Sequence, residues 1–66
     1  MKNNIKVQRA IHGLTQEELA KKVSVSRQTI NAMEANKYVP STVLALKIAR
    51  LFNKTVEDVF LLEDND

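Results

Sequence analysis

The chain has 66 residues, is 44% hydrophobic and 27% charged, and contains one His and no Cys. That length allows one domain, spanning 1–66, with a small core. The lack of Cys excludes disulfides and a Cys–His zinc site, and no apolar run approaches the roughly 20 residues of a membrane span. The formal charge of +2 hides an asymmetry: residues 1–56 hold all ten Lys and Arg against three acids, a net of +7, whereas residues 57–66 hold five acids and no base. A basic body with an acidic end suits an anionic partner for the body. The opening MKNNIKVQRAIHG has charges inside its apolar pattern and no small-residue cleavage site. It does not read as a secretory signal, so a cytoplasmic setting is expected.

Five short helices are predicted. The first covers about 4–12, with Ile5, Arg9 and His12 along one edge and Val7, Ala10, Ile11 and Leu14 as the expected apolar stripe; Gly13 ends it. In TQEELAKKV, Thr15 and Glu18 form a capping box, Leu19, Ala20 and Val23 make the buried edge, and Lys21 and Lys22 close the last turn. Ser24 and Val25 connect to Ser26, a second N-cap. The helix from about 27 to 35 has Ile30 and Met33 as inward anchors. Pro40 and Ser41 mark a new start, and STVLALKIARLFN places Val43, Leu44, Leu46, Ile48, Leu51 and Phe52 at helical spacing, with Asn53 as C-cap. Thr55 and Asp58 repeat the capping-box pattern ahead of a helix at 56–60. The segments 1–3 and 60–63 are the candidates for a small terminal strand pair. The fold class is all-α.

Two helices joined by a very short turn make a corner, and the second helix of such a unit can enter a DNA major groove. The geometry asks for a small residue at the crossing (Ala20), a turn-forming residue at the corner (Ser24) and apolar anchors on the second helix (Ile30, Met33). The outer face then carries Arg27, Gln28, Thr29 and Asn31, groups suited to base edges and phosphates.

In order and spacing, LTQEELA, VSRQTINAMEANKYVPS and LALKIARLF resemble the helix-turn-helix proteins of the phage Cro and repressor type, the Xre family. The likeness covers residues 5–60, most of the chain. It implies a five-helix, lambda-repressor-like bundle with its helix-turn-helix at about 15–36. One departure is Ser24, where many members have Gly. A left-handed backbone there costs a non-Gly residue about 1 kcal/mol.

The resemblance also implies roles. Arg27 and Gln28 occupy the base-contacting first turn, where Arg pairs with guanine and Gln with adenine; Thr29 and Asn31 join them. Gln16, Ser26, Asn36, Lys37 and Tyr38 match phosphate-contacting positions, which set register without reading sequence. Arg9 and Glu34 match an ion pair that ties the first helix to the reading helix. Glu34 is the only acid between Glu18 and Glu57, and inward pairing would keep it from repelling phosphate. His12 reads as a helix-end residue.

The expected function is a sequence-specific transcriptional regulator, a repressor, that binds a palindromic operator in double-stranded DNA as a homodimer. It would associate with the nucleoid when bound. The expected dimer segment is 55–63, with Val56, Val59, Phe60, Leu61 and Leu62. Some members of the fold also bind a toxin, but no toxin-binding extension is evident. No nucleophile, phosphate loop or catalytic carboxylate cluster points to an enzyme, and no cofactor or metal is expected.

Overall fold

In the computed structural model, which describes residues 1–66, the chain runs β1 (Lys2–Asn3), α1 (Ile5–His12), α2 (Gln16–Lys22), α3 (Arg27–Glu34), α4 (Thr42–Leu51), α5 (Val56–Val59) and β2 (Phe60–Leu61). The strands pair antiparallel, Lys2 opposite Leu61 and Asn3 opposite Phe60. This is the terminal pair anticipated from the sequence, two residues long on each side. No helix is long and apolar enough to cross a membrane.

Local chemistry sets each helix start. Thr15, Ser26, Ser41 and Thr55 are extended residues whose hydroxyls accept the backbone N–H of Glu18, Thr29, Leu44 and Asp58. Such a cap contributes about 1 kcal/mol. At Thr15 and Thr55 the acid three residues on also accepts the cap's own N–H, completing both capping boxes.

The helix ends share one device as well. Gly13, Ser24, Asn36 and Asn53 have φ of 65°, 61°, 60° and 56°. After each, the next backbone N–H reaches back five residues: Leu14 to Arg9, Val25 to Ala20, Lys37 to Ala32 and Lys54 to Ala49, all at 2.9–3.0 Å. This is the Schellman closure, which satisfies otherwise orphaned carbonyls. Asn53 therefore lies one residue beyond the C-cap, which is Phe52.

The core consists of Ile5, Leu19, Ala20, Val23, Ile30, Met33, Leu44, Ile48, Ala49, Phe52, Val59 and Phe60, with no buried polar residue among them. α2 packs on α3 more extensively than any other pair of elements. Full burial of Ile30 and Met33 contributes about 2 kcal/mol each and fixes which face of α3 looks outward.

Three expectations need correction. On α1, Val7 and Ile11 are 57% and 68% exposed, and Ala10 is exposed too. The inward edge is instead Ile5, Gln8, Arg9 and His12, where long polar stems cover the core and His12 sits 5.2 Å from the Phe52 ring. On α4, Leu44, Ile48 and Phe52 point inward, while Val43 and Leu46 stay outside. At the C-terminal end, Val59 and Phe60 are buried in their own core. They fill the space under α1 and β1, so neither can serve as a dimer surface.

Candidate nucleic-acid interface

α2 and α3 meet at a corner whose connection is Val23–Ser26. The left-handed Ser24 reverses the chain, and Val25 is half-buried against the core. Arg27, Gln28 and Asn31 are exposed on α3. With Ala32 and Lys37 they line one shallow depression. Asn36 and Tyr38 are exposed just beyond the helix, and Thr29 and Gln16 are half-buried. Arg27 and Lys37 form no ion pair within the chain.

The charge order along α3 is unfavourable. Its first turn holds Arg27 and no acid, and its last turn holds Glu34 and no base. A helix prefers the reverse, by about 0.3–1 kcal/mol per charge. α2 obeys the preference, with Glu17 and Glu18 first and Lys21 and Lys22 last. Arg27 thus places a cation beside the positive helix end, next to the free N–H groups of the first turn. A positive helix start is a phosphate-attracting arrangement.

The acid at the other end is held from outside the helix. Arg9 Nε donates to Glu34 Oε2 at 2.6 Å and Arg9 Nη2 donates to Glu34 Oε1 at 3.1 Å. Arg9 Nη1 donates to the Leu14 carbonyl at 2.9 Å. Gln16 Nε2 donates to Glu34 Oε1 at 3.1 Å, and Asn31 Nδ2 donates to Gln16 Oε1 at 3.4 Å. The side chains of Arg9 and Glu34 are only 15% and 8% exposed. Burial by itself pushes the Glu34 carboxyl up, but the bonds from Arg9 and Gln16 and the Arg9 charge hold it below its ordinary range. The Glu34 bond likewise raises Arg9. One network therefore runs from α1 through Glu34 and Gln16 to Asn31 on the outer face.

This placement refines the expected roles. Gln16 bridges Glu34 and Asn31 and so connects the brace with the outer face. The Ser26 hydroxyl is engaged by the Thr29 N–H and lies 2.9 Å from the Thr29 hydroxyl, so both side chains are tied to the cap. Asn36 Oδ1 accepts from Asn3 Nδ2 at 3.3 Å. Two residues with a part here were missed in the sequence. Asn3 Nδ2 donates to the Met33 carbonyl at 2.8 Å while Asn3 Oδ1 accepts the Ile5 N–H, joining β1, α1 and the end of α3. Asn4 Nδ2 donates to the Asp58 carbonyl. The only cue was an Asn–Asn pair ahead of a helix, and its partners lie 30 or more residues away.

The helix-turn-helix family model matches residues 5–59 of this chain. The chain belongs to the Xre-type helix-turn-helix family. It is 58% identical over 66 residues to an uncharacterized HTH-type transcriptional regulator of Methanocaldococcus jannaschii, covering 100% of both chains. It is 53% identical to one from Archaeoglobus fulgidus, covering 100% of this chain and 94% of the relative. A Bacillus subtilis relative, the HTH-type transcriptional regulator YgzD, is 50% identical with 100% of both chains covered. The family match takes in α1 to α5 and thus the whole brace as well as the corner.

Proposed function

We propose that the protein is a DNA-binding transcriptional regulator that acts as a repressor, placing α3 in the major groove of a palindromic operator as a homodimer. The observation that carries this reading is the outer face of α3. Arg27, Gln28 and Asn31 are exposed there with Lys37 along one depression, on a helix anchored by Ile30 and Met33 and braced through Glu34. The regulator names of the relatives support it.

In this reading Arg27 and Gln28 contact base edges, with bidentate pairing to guanine and adenine respectively. Asn31 reaches a base or the backbone from the Gln16 network, and Thr29 offers its methyl to thymine. Lys37, Asn36, Tyr38 and Gln16 contact phosphates, which position the helix. Ser26 contributes through the helix start that it caps. A pair of chains would read two half-sites about one helical turn apart, and repression follows where such a site overlaps a promoter.

The test is selection of bound sequences from a random duplex library with the wild-type protein, Arg27→Ala and Gln28→Ala. The expected result is an inverted repeat whose preference relaxes at different positions in the two variants. Salt-sensitive binding without a motif would defeat the sequence-specific reading.

A further inference from the structure

A groove lies between α4 and α5, away from the outer face of α3. Its floor is Val43, Leu46, Ala49 and Val56, and its rim carries Lys47, Arg50 and Lys54. Val43 and Leu46 are 62% and 55% exposed. None of the three rim cations has an ion-pair partner within the chain. The nearest acid along the chain, Asp58, is engaged by the Thr55 capping box. An apolar floor with a wholly cationic rim fits an acidic segment that carries a large aliphatic side chain. It does not fit a bare phosphate backbone, which has nothing to place on Leu46 and Val43.

The chain presents such a segment. Leu61 and Leu62 are 39% and 83% exposed, and Glu63, Asp64 and Asp66 follow them. This segment departs from Phe60, which lines a second, mainly apolar depression with Met1, Val39, Pro40 and Ala45. Leu46 and Val56 line both depressions. The surface is therefore a strip with an apolar middle, a basic end and an acidic end. A two-fold axis through the middle would set each basic end against the other copy's acidic end, the self-complementarity that a closed symmetric pair requires.

We propose that this groove receives the C-terminal segment 61–66 of a second copy, with Leu62 on the Val43–Leu46 floor and the following carboxylates against Lys47, Arg50 and Lys54. The inference rests on the homodimer reading and gives it a surface. That surface replaces the buried Val59 and Phe60 with residues of α4. Association would then be apolar at the centre and charge-directed at both ends, and electrostatic complementarity would fix its register.

The experiment is charge reversal with complementation, read by sedimentation over a range of concentrations. Lys47→Glu/Arg50→Glu makes the groove acidic, and Asp64→Lys/Asp66→Lys makes the segment basic. All four side chains are on exposed residues, and circular dichroism checks that each variant folds. The wild type is expected to dimerise, and each variant alone to associate roughly 100-fold more weakly, because like charges then meet at both ends. An equimolar mixture of the two variants is expected to regain a dimer, since both contacts in the mixed pair are again opposite in sign. A wild-type dimer that survives both reversals would give the groove to some other occupant, overturning this inference while leaving the homodimer intact. Loss of dimerisation without recovery in the mixture would also overturn it. A wild type that stays monomeric at every concentration would remove the homodimer reading and this inference together.

Discussion

Arg9 and Glu34 meet through two parallel bonds, the shorter at 2.6 Å, across 25 positions of sequence. The pair sets the tilt of α3 from behind, through its last turn, and Gln16 carries the same constraint to Asn31. Removing Glu34 leaves Arg9 half-buried with one remaining acceptor, the Leu14 carbonyl. Breaking a fully buried pair costs about 3–5 kcal/mol; these side chains retain some solvent contact, so Glu34→Gln is expected to cost about 2 kcal/mol. Operator affinity should fall about tenfold, a 1.4 kcal/mol change. Urea unfolding and a binding titration check both. Unchanged stability and affinity would show that the pair does not brace the helix.

The same carboxylate predicts a pH response. Burial opposes ionisation of Glu34, yet the Arg9 and Gln16 bonds outweigh it and leave the folded carboxyl below its ordinary 4.5. Glu18 and Asp58 are lowered as well, first by the N–H groups of Thr15 and Thr55 that they accept. As pH falls through 4.5, the unfolded chain takes up protons before the folded one, so stability falls with falling pH. The Glu34 contribution is complete above its unfolded pKa and is lost as pH drops through its folded pKa. Thermal unfolding between pH 7 and pH 3 should show this decline, and Glu34→Gln should make it shallower. The raised Arg9 acts only above pH 12 and leaves this window untouched.

Arg27 should trade stability for binding. Replacing it with Glu puts an acid in the first turn, where the helix dipole favours one, a gain of about 0.5 kcal/mol. The same change sets a negative charge against phosphate and removes the guanine-pairing group. Arg27→Glu is expected to unfold at a slightly higher urea concentration and to lose specific DNA binding. A variant that is less stable and still binds would contradict the assignment of Arg27 to the DNA.

Ser24 holds φ at 61° without being glycine. Ser24→Gly removes the steric cost of the left-handed conformation and should stabilise the fold by about 0.5–1 kcal/mol, with DNA affinity unchanged. Gly13→Ala is the opposite case. Nothing lies within 4 Å of a Cβ added there, so its expected loss of about 1 kcal/mol is conformational and not a clash. Equilibrium unfolding of both variants separates backbone strain from packing.

Helix starts were legible in the sequence because a cap is local: Thr15, Ser26, Ser41 and Thr55 each act within three residues. The inner faces of α2 and α3 were legible because Leu19, Ala20, Ile30 and Met33 are at helical spacing among polar neighbours. α1 was misread for a physical reason. In eight residues there are barely two turns, and the stems of Gln8 and Arg9 cover core surface as an apolar residue would, leaving Val7 and Ile11 outside. The roles of Val59 and Phe60 could not be read from VFLL, since all four side chains are apolar and only the β1–β2 register decides which turn inward. Asn3 was invisible because its partners come from α3.

The four left-handed helix ends bear on how quickly the chain folds. Each stop is defined by residues within five positions of one another, so α1 to α4 can acquire their lengths before any distant segment arrives. Little of the search then involves closing long loops, whose entropy slows folding most. The main exception is the pairing of Lys2 and Asn3 with Leu61 and Phe60, which joins segments from opposite ends of the chain. That two-residue ladder is the contact expected to form last and to open first, while the helix corner beneath it stays assembled.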